Sequence, residues 1–219
     1  MCFSANVSFG ASAVLTAIGI ASIKKTKEPR QLFFAAIPLL FAAQQITEGF
    51  LWLTLRNHEY LYTQCVLTYI FIFFAQVLWP VWVPLSITLL DKKEARTTLQ
   101  KTIIGIGVVV SAYLAFCLMT YSVEANINGM HIGYKQDYPQ ALKNYGALLY
   151  ILAIIGPPFM SHIKKMWMLG VTVLLSYIIS AIFYQHYVLS VWCFFASLIS
   201  VSIYIIITKI PVLSATNPE

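Results

Sequence analysis

Charge is what this chain has least of: Asp, Glu, Lys and Arg together make up 10% of its 219 residues, against 59% hydrophobic. That balance excludes a soluble domain, whose surface needs far more charge to stay wet. Basic residues outnumber acidic ones, 14 to 8, yet no stripe of Lys and Arg interleaved with aromatics occurs, so nucleic acid is excluded as a partner. P-loop, Gly-rich dinucleotide and Ser/His/Asp signatures are missing too. The last apolar run, Tyr187–Thr208, holds no lysine, which rules out a retinal Schiff base. The partner that this composition implies is the lipid bilayer.

What is present is a series of charge-free windows, and a membrane helix needs about 20 apolar residues. Cutting the chain at its charges predicts an all-α bundle of seven spans over 3–23, 31–55, 61–90, 102–121, 145–160, 166–184 and 188–208, as one membrane domain over 1–219. The first run has neither a basic leader nor a cleavage site of small residues, and is read as a mature helix. The third window exceeds the hydrocarbon thickness as a straight helix, and Pro80 and Pro84 supply a bend by removing backbone donors. Asp91–Lys101 reads as a mixed-charge connection. Residues 122–144 carry Glu124, Asn126, Asn128, Gly129, His131 and Asp137, a turn-rich composition that cannot cross lipid and forms the one sizeable loop.

With this topology, 11 Lys and Arg fall on one side and Arg56, Lys135 and Lys143 on the other. The positive-inside bias then predicts an outer amino terminus and an inner carboxyl terminus.

Glu48 is the single formal charge within the long apolar windows. An ionisable group at that depth costs a few kcal/mol, about 2.5–3.5 on insertion scales, unless a partner, an ion or a proton neutralises it. Gln44 stands at i−4 from Glu48, Gln45 at i−3 and Trp52 at i+4, so one helix face carries a polar ladder ending in an indole. Interhelical glue is one reading of that ladder; a proton-carrying acid, a general base or a metal ligand is the other. Ser4, Ser8, Ser12 and Thr16 form a hydroxyl stripe in the first span, and Thr172, Ser176 and Ser180 repeat it in the sixth. Small residues at this spacing let helices approach closely, or line a polar vestibule.

Most reactive side chains fall on the predicted outer side: Cys2, Cys65, Cys117, His58, His131, His186 and Cys193. Small packing residues, interfacial loop residues or a disulfide would account for them. With its initiator Met removed, Cys2 would carry thiol and amine on one residue, a chelating pair.

The start Met1-Cys2-Phe3-Ser4-Ala5, the run Pro38–Phe41 followed by Gln44-Gln45 and Glu48-Gly49 with Trp52, and the pairs Trp79-Pro80 and Trp192-Cys193 resemble an uncharacterised bacterial family of small polytopic membrane proteins. The resemblance implies residence in a bacterial cytoplasmic membrane and weight for Cys2, Gln45 and Glu48, and supplies no reaction.

Three functions compete. The first is an outward metal site with zinc as cofactor, held by Cys2, Glu48, His131 and His186, with Gln44, Gln45, Trp52, Ser4 and Ser8 in support, hydrolysing or hydrating a small molecule or lipid. In general plan this is similar to the ceramidase and adiponectin-receptor hydrolases, but the last span lacks their His-xxx-His pair. The second is a proton- or cation-linked transporter or sensor using Glu48. The third is a haem or quinone protein, for which no His lies within a span.

Overall fold

The computed structural model describes residues 4–91, 97–139, 143–183 and 195–210. Helix α1 (Ala5–Lys24) begins where Ser4, in extended backbone, accepts the Val7 amide on its hydroxyl, which satisfies one of the orphan donors of the first turn. A short turn through Pro29–Gln31 and helix α2 (Leu32–Ala35) leads into α3 (Ile37–Thr54). Helices α1 and α3 pack closely and antiparallel: Phe9 covers Gly49, Leu15 meets Ala42, and Leu39 sits on Gly19. Ser8, Ser12, Leu15, Gly19 and Ser22 are the buried stripe of α1, so its hydroxyls serve helix contact.

Leu61–Leu90 runs as α4 (Leu61–Ile72), a π-helical turn (Phe73–Leu78) and α5 (Trp79–Leu90). The turn has a covalent cause. Pro80 has no N–H for the carbonyl of Gln76, and Pro84 has none for that of Pro80. Neighbouring helices add donors to the carbonyls on either side of Gln76: the Tyr150 hydroxyl donates to the Ala75 carbonyl, and the Ser111 hydroxyl to that of Val77. The Pro80 carbonyl instead lies against Gly107 of α6 (Thr98–Thr120), where a Cβ would come within 2.0 Å of its oxygen.

Helix α6 opens with a reciprocal cap in which the Thr97 hydroxyl accepts the Gln100 amide at 3.2 Å and Gln100 Oε1 accepts the Thr97 amide at 3.0 Å. The connection after Asp91 therefore ends at Thr97, not at Lys101.

The segment read as a loop contains strands, which the all-α reading lacks. Strand β1 (Val123–Asn128) and strand β2 (His131–Gln136) form an antiparallel hairpin joined by Gly129-Met130. Gly129 takes φ of 62°, a left-handed conformation that a side chain disfavours. In this register Ala125, Ile127, Ile132 and Tyr134 share one face, while Glu124 and Lys135 pair across the other. The apolar face lies over one end of the bundle: Ile132 and Tyr134 join Leu51, Trp52 and Leu67, and the Tyr134 ring stacks on Phe71 with centroids 4.6 Å apart.

Helix α7 (Lys143–Met160) continues through Pro157 and Pro158 to Met160; α8 (Met166–Phe183) and α9 (Ala196–Lys209) follow. Among the described residues, five apolar stretches are long enough to cross a membrane: Ala5–Lys24, Pro29–Thr54, Leu61–Leu90, Thr98–Thr120 and Met166–Phe183; Tyr145–Met160 and Ala196–Lys209 are shorter. Large apolar side chains point outward, with Val109 66% and Ile182 63% exposed, as lipid-facing positions require. Of the five, the stretch holding α3 is the most enclosed: 56% of its apolar window is buried, against 28–33% in the others. This most enclosed of the five stretches is the one that carries Glu48.

Candidate functional site

On α3 the exposed positions Ile46, Phe50 and Leu53 mark one face, and Gln44, Glu48 and Trp52 lie on the opposite one. These three rise in steps of about 6 Å, four residues at ~1.5 Å each. Gln44 and Glu48 are fully buried and Trp52 nearly so. The lowest of the three, Gln44, accepts a hydrogen bond from Trp79 Nε1 at 3.1 Å, which ties α3 to the start of α5, and Phe41 stacks on the same indole. The middle one, Glu48, receives the Gln45 side-chain amide on Oε2 at 3.3 Å. The ladder is therefore divided: Gln45 serves the carboxyl while Gln44 serves Trp79.

The antiparallel register set by Phe9 on Gly49 and Leu15 on Ala42 brings Ser8 and Ser12 to the level of Gln45 and Glu48. Ser8 is completely buried, and its Oγ has no hydrogen-bond partner among the described residues. The same holds for Trp52 Nε1, one turn beyond Glu48. Two enclosed polar atoms of this kind, at levels adjacent to that of a buried carboxyl, leave donors to be satisfied by water or a ligand. Above Trp52 the hairpin closes this end, with Ile132 against the indole and Gln76 donating from the π-helical turn to Gln136 at 3.1 Å.

Of the four metal ligands anticipated, Glu48 and His131 are described, while Cys2 and His186 lie outside the described residues, as does Cys193. His131 starts β2 and by register falls with Glu124 and Lys135 on the strand face turned from the bundle. It is half-buried, and burial holds its imidazole below the usual histidine range. No group of three His, Cys, Asp or Glu side chains comes together among the described residues. Cys65 and Cys117 are free thiols, the first exposed and the second buried. Ser4 is the cap of α1.

At the opposite end is a buried acid that the sequence reading assigned to a connection. Asp91 is 1% exposed and accepts from Gln100 Nε2 at 2.6 Å, the Ser161 hydroxyl at 3.1 Å and the His162 amide at 3.2 Å. With its lone pairs so engaged, this carboxylate fastens the ends of α5, α6 and α7 together. The one available signal is the Thr97-x-x-Gln100 spacing, which places Gln100 in the first turn of a helix.

An apolar cavity of about 60 Å³ occupies the bundle between these two ends. Its wall includes Gln44, Trp79 and Tyr150 among aliphatic side chains of α5, α7, α8 and α9.

No curated protein and no solved structure matches the chain. Residues 1–216 match the model of a family of unknown function, DUF6629, and with nearly its whole length covered the chain belongs to that family.

Proposed function

We propose that this is a seven-span protein of a bacterial cytoplasmic membrane, hairpin side outward, in which Glu48 takes up and releases a proton or a small cation as part of a transporter or sensor. The observation that carries the reading is the complete burial of Glu48 in the most enclosed of the five membrane-length stretches, with the Gln45 amide as a neutral partner. An amide donor supports a carboxylate and tolerates a carboxylic acid, so both protonation states have a partner there. The buried Ser8 hydroxyl and Trp52 indole nitrogen at adjacent levels add groups that a hydrated ion or a water chain would use. Glutamine in place of Glu48 would have served as interhelical glue without the cost of a charge.

The orientation rests on charge. The end away from the hairpin carries Lys24, Lys25, Lys27, Arg30, Lys101, Lys164, Lys165 and Lys209, and the hairpin end has Arg56 and Lys135.

The test is infrared difference spectroscopy of the protein in lipid nanodiscs, titrated between acid and alkaline pH. A protonated-carboxyl C=O band that changes with pH and vanishes in Glu48→Gln is expected. A wild-type spectrum identical to that of Glu48→Gln at every pH would overturn the proposal.

A further inference from the structure

We infer that the central cavity is a binding site for a hydrocarbon chain, the tail of a membrane amphiphile. This does not depend on what Glu48 does. The cavity is about 60 Å³, several times the roughly 10–15 Å³ that one water needs on a comparable measure, so it has room for a run of methylenes. Its lining includes Ile87, Ile154, Val173, Ile199 and Ile203, from four different helices.

The few polar atoms around it are already engaged within the wall. The Tyr150 hydroxyl donates to the Ala75 carbonyl, and Trp79 Nε1 donates to Gln44 Oε1. What faces the space is therefore carbon, and water would find too few partners to stay. Those same two bonds cross between helices and fix the spacing of the walls at the π-helical turn and the start of α5. A void framed this way does not close by sliding side chains inward, so it is a persistent space rather than a loose fit. Phe41, Val83 and Tyr150, which line it, are only half-buried, so the space approaches the outer surface of the bundle. That surface is where large apolar side chains are exposed and where lipid tails are the most abundant apolar molecules.

Acyl chains and isoprenoid tails share this chemistry, and the experiment separates them. The protein is placed in nanodiscs made with a phosphatidylcholine bearing a diazirine near the end of one acyl chain, irradiated, and mapped by peptide mass spectrometry. Adducts are expected on wall residues such as Val173, Ile199 and Ile203 as well as on the outward Val109. Val173→Phe should abolish the wall adducts and leave Val109 labelled; Ile203→Phe provides a second filling from another helix if the first variant does not fold. Loss of wall labelling on adding an unlabelled isoprenoid quinone assigns the site to isoprenoid tails, and its persistence assigns it to acyl chains. Adducts restricted to outward faces, or wall adducts unchanged in the filled variants, would overturn the inference.

Discussion

Gly107→Ala measures how closely α5 and α6 approach, and Gly105→Ala is its internal control. A Cβ built on Gly107 would lie 2.0 Å from the Pro80 carbonyl oxygen and 3.5 Å from Pro84 Cγ. A carbon normally meets a carbonyl oxygen at about 3.3–3.6 Å, so the two helices would have to part by roughly 1.3 Å or the carbonyl would have to swing away. Neither is easy, because the partner atom is backbone and the neighbouring carbonyls are fixed by Ser111 and Tyr150. Overpacking of this kind costs about 1–3 kcal/mol, against a gain of up to ~1 kcal/mol for alanine over glycine in a helix. At Gly105 a Cβ would meet nothing within 4 Å, leaving only the gain. The two variants, each adding one methyl group to the same helix two positions apart, should therefore differ by about 1–3 kcal/mol. For a chain of this size that corresponds to roughly 2–12 °C in unfolding midpoint. Thermal unfolding in mild detergent, followed by tryptophan fluorescence, gives the comparison directly. If Gly107→Ala unfolds at the same temperature as Gly105→Ala, the contact of Gly107 with the Pro80 carbonyl is wrong.

Three further outcomes are expected. Asp91→Ala leaves Gln100 Nε2, the Ser161 hydroxyl and the His162 amide without their acceptor, at about 1–3 kcal/mol for each buried donor that finds no other, so hydrogen exchange should rise around 160–162 and the unfolding midpoint should fall. Elemental mass spectrometry of purified wild type and Glu48→Gln should return background zinc in both; near-stoichiometric zinc lost in the variant would replace the proton or cation reading with a metal site completed by Cys2 and His186. His131 has its folded pKa lowered by burial, so folding favours the neutral ring: stability is full above the ordinary histidine range near 6.5 and is lost as pH falls through the lower folded value. Exchange of amides 123–136 should accordingly accelerate on acidification in wild type and not in His131→Gln, and equal pH dependence in the two would refute the assignment.

That the chain is a bundle of apolar helices was legible because scarcity of charge is a property of long windows and survives local exceptions. The burial of Glu48 was legible for the same reason: the window 31–55 around it carries no other formal charge. The break at Pro80 and Pro84 followed from missing donors, which any sequence displays. The hairpin was hidden by its polar outer positions: Glu124, Asn126, Asn128 and Lys135 dominate the composition, while the alternation of Val123, Ala125, Ile127, Ile132 and Tyr134 occupies only two short runs. Asn128-Gly129 was the cue that a turn joins two strands. Asp91 was hidden differently. It borders Lys92 and Lys93 and reads as a solvated charge, and its burial depends on Gln100, Ser161 and His162, two of which are some 70 positions away. The pairing of Gln44 with Trp79 and of Tyr150 with Ala75 is likewise a product of tertiary contact across helices, which no local pattern carries.

The enclosure of α3 bears on how this chain enters a bilayer during synthesis. Alone in lipid, α3 would expose Gln44, Gln45 and Glu48, and its three apolar outer positions could not compensate for all of them. Helix α1 is made first and presents Ser8 and Ser12 at the level of Gln45 and Glu48, and only the turn through Pro29–Gln31 and the four-residue α2 lie between the two helices. Their natural unit of insertion is thus the pair, delivered as a helical hairpin whose polar seam is already covered from one side. The remaining helices then assemble around a carboxyl that reached the membrane interior in company.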